Sequence, residues 1–374
     1  MPKLFLPGAL TFLMCAIAVL LGTAPPQAAE PSWNSRAAAS YLDGRLDWWL
    51  TWPTAARDHD TACVSCHTAV PYALARPALR KTLSERELPA SERRMLENVT
   101  KRVRLWQEVE PFYSDQTRGL PKTSESRGTE AIMNALILSN RDAYTGTLSD
   151  ETKQAFANLW PLQFKAGNLK GTWAWLNFHN EPWEANGSPY FGASLAAMAI
   201  GSAPGDYANG AAIQDQVKAL RDYLQKGVDN ESLFNRLMGL WASAKLTSAL
   251  TPAQRQSIVD AALANQQADG GWSTSTLASW KRQDNTQLDT KSDGFATGLV
   301  TLALQQAGTG RDNPNLSRGL AWLVAHQESS GRWWASSLNK ERDPASDAGK
   351  FMSDAATAYA ALSLSQSQMT RGTK

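Results

Sequence analysis

The sequence predicts an all-α fold closed into a ring of about five to six helix pairs, an (α/α) toroid, with a short N-terminal extension. Three observations point there. Almost no stretch alternates apolar and polar residues with the period of two expected of a half-buried strand. Five apolar segments, rich in small residues and nearly free of charge, recur at 128–140, 189–201, 234–246, 293–307 and 354–367. Their starts lie 61, 45, 59 and 61 residues apart, the spacing of a repeat architecture.

Each apolar segment reads as a helix buried on most sides. Between them lie charged, amphipathic stretches at about 91–109, 151–165, 211–226, 252–267 and 314–327. Thr251-Pro252 and Asn313-Pro314 place proline in the first turn of two of these, where its missing amide costs nothing. Buried and amphipathic helices in alternation predict two layers, the inner helices lining the centre and the outer ones wrapping it.

The chain holds 15 tryptophans, and several of them follow a pattern. Gln266 to Trp272 and Gln327 to Trp333 both read Q-x-x-x-G-x-W, the second preceded by Arg318-Gly319-Leu320-Ala321-Trp322-Leu323-Val324. A more degenerate copy ends at Gly171-Thr172-Trp173. These segments resemble the QW motif of the squalene-hopene and oxidosqualene cyclases. The resemblance spans roughly 90–370 and implies the α/α toroid of the terpene cyclases, with glutamine capping backbone groups at the end of an outer helix and tryptophan stacking nearby.

Fold alone does not assign chemistry. The resemblance implies a catalytic Asp-x-Asp-Asp element, and the corresponding stretch here is Lys291-Ser292-Asp293-Gly294. Only Asp293 remains as the acid, with Asp289 as its partner carboxyl. The local reading is that Asp293 caps its helix, as Asp354 does for the last one. The zinc-binding cysteine of prenyltransferases and the Gly-Cys-Gly-Glu-Gln thioester element are both absent. Trp173, Trp175, His179, Glu181, Trp183 and Glu184 form an aromatic and polar cluster suited to the rim of the ring.

The amino terminus reads as a secretory signal peptide over 1–29: Lys3, an apolar run from Leu4 to Leu21, then small residues ending at Ala29. An uncleaved anchor is the alternative. Cleavage removes Cys15 and leaves an exported, periplasmic chain that is not an integral membrane protein. The two remaining cysteines stand in Cys63-Val64-Ser65-Cys66-His67, the attachment signature of a covalent c-type haem. Two thiols at this spacing each add to one vinyl group, and His67 then reaches the iron as proximal ligand. A local disulfide, or a zinc site made of His59, Cys63, Cys66 and His67, are the alternatives. Met95, Met133 and His179 are the candidates for the second axial ligand. This segment, 30–90, is expected to dock on a toroid formed by 91–374.

With 37 basic against 35 acidic side chains, no positive field is available for nucleic acid. Two function classes remain. One is an exported haem protein working in electron transfer or ligand binding, with a redox partner or an apolar ligand. The other is a cyclase-like enzyme acting on an isoprenoid.

Overall fold

The computed structural model describes residues 1–4 and 32–369. Beyond Leu4 the expected signal peptide, Cys15 included, lies outside the described residues. Among them no helix is long and apolar enough to cross a membrane. From Trp33 onward the described residues form one compact unit. Its helices are α1 (Ser35–Thr51), α2 (Ala69–Thr82), α3 (Ala90–Arg104), the single turn α4 (Asp115–Arg118), α5 (Lys122–Thr145), α6 (Asp150–Leu159) and α7 (Ser188–Ser202). They continue with α8 (Gln214–Gly227), α9 (Leu233–Lys245), α10 (Pro252–Ala264), α11 (Gly294–Gln306), α12 (Pro314–Ala325) and α13 (Phe351–Met369).

Six of them, α2, α5, α7, α9, α11 and α13, pack in sequence, and α13 packs on α2 to close the circle. Helices α1, α3, α6, α8, α10 and α12 lie outside, each against at least one inner helix. The pattern of apolar residues decides the layer. Inner α7 buries every residue from Tyr190 to Ile200, whereas outer α8 buries only Val217, Leu220 and Leu224, one stripe of a surface helix. The two proline-started outer helices are capped as their sequences foretell. Thr251 closes a capping box on α10, and Asn313 accepts from the amides of Asn315 and Leu316.

All five apolar segments become inner helices, and the all-α toroid stands. The expected extension does not. Residues 33–90 contribute α1 and α2, the sixth helix pair, so no domain break falls near residue 90. The sequence hides α2 behind Pro71 and Pro77. Pro71 falls in the first turn, where no amide is needed; Pro77 lies inside the helix and is buried. Arg76 on α2 is almost wholly buried and is held by Asp43 and Glu85.

The glutamine–tryptophan seams join the repeats. Gln266 Nε2 donates to Gly270 O and Asn315 O, both at 2.7 Å; Gln327 Nε2 donates to Gly331 O (3.1 Å) and Asn34 O (3.0 Å). The third copy begins at Gln163, whose Nε2 reaches Gly171 O (2.9 Å) and Gln216 O (3.0 Å). Each glutamine therefore ties its own loop to the start of the next outer helix. Trp173, Trp272 and Trp333 are fully buried, and their indole N–H groups donate to Leu159 O, Ala262 O and Leu323 O. Gly331 has φ of +89°, and a Cβ there would meet the Ala37 carbonyl at 2.2 Å, so only glycine fits this turn. The last seam lands on Asn34, the N-cap of α1. It is this seam that draws the cysteine-bearing hairpin into the ring.

Phe191, Phe234, Phe295 and Tyr359, one each from α7, α9, α11 and α13, stack across the interior with centroids 5.7, 6.1 and 5.7 Å apart.

Candidate functional site

A cavity of about 240 Å³ opens beside this stack, walled by α1, the segment leading into α2, α5 and the start of α13, and by the loops preceding α5, α7 and α13. The segment leading into α2 is a short antiparallel ribbon, β1 (Ala56–Arg57) and β2 (Thr61–Ala62), followed by the Cys63–His67 loop. Ser65 Oγ accepts from the amides of Thr68 and Ala69 at the first turn of α2. Trp49 Nε1 donates to Cys63 O at 2.6 Å. Loop and helix are thereby fixed to each other, with Cys63, Cys66 and His67 on the cavity wall.

Both cysteines are free thiols. Burial pushes the Cys63 thiol up to about 12 and raises Cys66 as well, so both are held protonated. Cys66 Sγ lies 3.6 Å from Met133 Sδ. The His67 ring stacks on Phe351 at 3.8 Å and meets the edge of Trp49 at 4.8 Å. Burial first, then the Arg45 charge, push His67 down to about 3, and it is neutral at physiological pH.

The tautomer of that neutral ring follows from its partners. Asp354 Oδ1 accepts from Tyr41 Oη (2.9 Å) and Arg45 Nε (2.8 Å). Its Oδ2 accepts from Thr68 Oγ1 at 2.8 Å. Burial raises the Asp354 carboxyl and the Arg45 guanidinium draws it back. Paired with that guanidinium the carboxylate only accepts, so the Thr68 proton is committed to it. Thr68 Oγ1 must then accept from His67 Nδ1, 2.8 Å away. This places the proton on Nδ1 and leaves the Nε2 lone pair free, the state a metal-ligating histidine needs.

The cavity also holds Glu184, which burial pushes up to about 7, and Glu181, raised for the same reason. Arg57 and Arg342 line it too, and neither is ion-paired with a described residue.

The structure separates the remaining candidates. Among the proposed second axial ligands Met133 lines the cavity; Met95 is buried on α3 away from it, and His179 is exposed outside it. Met352, beside the His67-stacking Phe351, lines it as well; the sequence gives it no mark, because it sits in an otherwise ordinary helix start. Asp293 is the N-cap of α11, accepting from the amides of Phe295, Ala296 and Thr274 and from the Thr274 hydroxyl. Asp289 is exposed and 3.7 Å from Arg282, with no bond to Asp293. Neither aspartate lines the cavity. Asp354, expected to cap, instead anchors the α1–α2 hairpin. His59 is exposed and bonded to Asp58. Among the described residues no group of three or more His, Cys, Asp and Glu is arranged to hold a metal ion, which gives the zinc alternative no support. Of the rim cluster, Glu181, Trp183 and Glu184 face the cavity; Trp173 and Trp175 are buried in packing contacts.

The fold and this cavity define a six-pair α/α toroid with a thiol- and imidazole-lined pocket. Residues 218–346 match the family model described as squalene-hopene cyclase C-terminal domain, in keeping with a terpene-cyclase-like ring. No curated protein matches the chain. Among solved structures, a protein described as a possible member of the GH105 family from Klebsiella pneumoniae is similar at 12% identity and a TM-score of 0.34. That similarity covers 90% of this chain and 82% of the other.

Proposed function

We propose that this chain is an exported haem protein, with a c-type haem held covalently in the toroid cavity and serving electron transfer or ligand binding. The observation that carries this reading is the donor set: two free thiols and an imidazole with its Nε2 lone pair free line one aromatic cavity. The residues present fit the group. Iron in a porphyrin asks the protein for only one or two ligands, so a larger ligand cluster is not required.

Cys63 and Cys66 would hold the group through two thioethers, each made by addition of S–H across a vinyl group, with one C–S and one C–H bond formed and no net oxidation. His67 would hold the iron, its ring oriented by Phe351 and its tautomer held by Thr68. Trp49 and Trp183 supply apolar wall to the pocket. Haem bound here supplies one-electron redox chemistry.

The test is a pyridine haemochrome spectrum of protein exported from a host competent in haem attachment. A band typical of two thioether links is expected, and its loss in the Cys63→Ala/Cys66→Ala variant. No such band in the wild type would sink the reading.

The family match favours a second reading, an isoprenoid ligand or substrate in the ring. Against catalysis stands Asp293, already committed to four hydrogen-bond donors. Turnover of squalene, lost in a folded Asp293→Asn variant, would establish it; unchanged turnover in that variant would remove Asp293 as the acid.

A further inference from the structure

Two buried donors on the cavity wall have no partner among the described residues. Trp183 is 6% exposed and lines the wall, yet its Nε1 has no partner among the described residues. Arg57 spends one terminal nitrogen on Thr54 O and Ala56 O, and its buried Nε has no partner there either. Arg342, half-buried on the same wall, makes no hydrogen bond or ion pair with a described residue. Asn339 Oδ1 is the one orphaned acceptor among the described side chains lining the cavity. Unmatched buried donors are costly unless something fills them, and guanidinium groups match carboxylates best.

We propose that Arg57, Arg342 and Trp183 form an acid-recognising site in this cavity that takes the carboxylates of a planar, apolar diacid, namely the two propionates of a porphyrin. The inference rests on the haem reading and assigns wall residues other than the thiols and His67, Trp183 standing 6.0 Å from the His67 ring. Two carboxyls share the cavity. Burial holds Glu181 and Glu184 toward their neutral forms, with Glu184 up to about 7. Around the planar ring, Trp49, Trp52 and Phe351 supply apolar faces.

The test uses the full chain with Cys63→Ala/Cys66→Ala, which removes covalent capture and leaves the arginines in place. Protoporphyrin IX and its dimethyl ester are titrated separately, read by tryptophan fluorescence quenching. The diacid should bind at least about tenfold more tightly than the diester, the loss expected when charge-assisted bonds are removed. Arg342→Ala should bring the diacid to the level of the diester without changing the diester, and Arg342→Lys should recover part of the difference. Arg342 makes no bond to a described residue, so its removal leaves the fold intact. Equal binding of diacid and diester, or an equal loss of both in Arg342→Ala, would overturn the acid site and leave covalent attachment standing. Diacid preference without a haemochrome band in the wild type would overturn attachment instead.

Discussion

The segments leading into α11 and α13 share one plan and serve different ends. In each, a glutamine bridges to the next outer helix, a buried tryptophan bonds back to the preceding one, and a threonine hydroxyl accepts from the tryptophan amide. Each also has a buried aspartate near the start of the inner helix, Asp293 at 5% exposure and Asp354 at 1%. Asp293 spends its oxygens on its own repeat, as a cap. Asp354 spends its oxygens on the neighbouring repeat, on Tyr41, Arg45 and Thr68. Where a repeat closes on itself, the aspartate terminates a helix. Where the ring must close on α1 and α2, the same feature becomes a tie between repeats, and that tie ends at His67.

The largest effects should come from what the two helix starts have in common. Trp272→Ala and Trp333→Ala each remove a fully buried indole and its hydrogen bond, and each should cost about 3–5 kcal/mol in denaturant unfolding. Comparable losses confirm a shared seam. A near-neutral Trp333→Ala would break the comparison, because it is the last seam that joins the loop after α12 to α1.

The aspartates separate the two helix starts. Asp354→Asn leaves Arg45, whose side chain is 7% exposed, without its buried counter-charge and should cost about 3 kcal/mol. Asp293→Asn should cost about 1 kcal/mol, since asparagine caps a helix nearly as well as aspartate. The reverse order, measured in the same unfolding experiment, would erase the distinction between cap and tie.

Much of this was legible in the sequence, for physical reasons. Charge-free apolar segments such as 189–201 can only be buried, and Q-x-x-x-G-x-W places a donor, a positive-φ turn and an indole where a seam needs them. The cysteine spacing stood out in the sequence, and the structure places Cys63, Cys66 and His67 on one cavity wall. Less visible was α2, because Pro71 and Pro77 mimic a loop when their burial is unknown. Asp354 was invisible as a tie, because its partners at Tyr41, Arg45 and Thr68 lie about 300 residues away in sequence. Arg342 and Met352 reach the cavity only through ring closure, which no local pattern reports.

Glu184, in the loop before α7, carries a titration on the cavity wall. Glu184 has its folded-state value pushed up to about 7 from an ordinary glutamate's 4.5. The folded chain therefore binds this proton more tightly than the unfolded one, and stability falls as pH rises from about 4.5 through 7. Glu184→Gln removes that loss. Its stability relative to wild type should rise by about 1–2 kcal/mol between pH 4.5 and 8, discounted for the partial solvent access of the cavity. A difference that stays flat with pH would place Glu184 in a more hydrated setting than this cavity wall.

A small energetic change tests the functional end of the tie. Thr68→Val removes the hydroxyl between His67 Nδ1 and Asp354 Oδ2 while keeping the side chain's shape, at about 1 kcal/mol. Its informative readout is the ring. In the haem-free protein at neutral pH, the ¹⁵N shifts of His67 should show the proton on Nδ1 in wild type, a mixture of tautomers in Thr68→Val, and recovery in Thr68→Ser. Packing alone would not produce that recovery, because serine restores the hydroxyl without the methyl group. An unchanged tautomer in Thr68→Val would mean that Asp354 anchors α1 and nothing more, and the starts of α11 and α13 would then differ in architecture without differing in purpose.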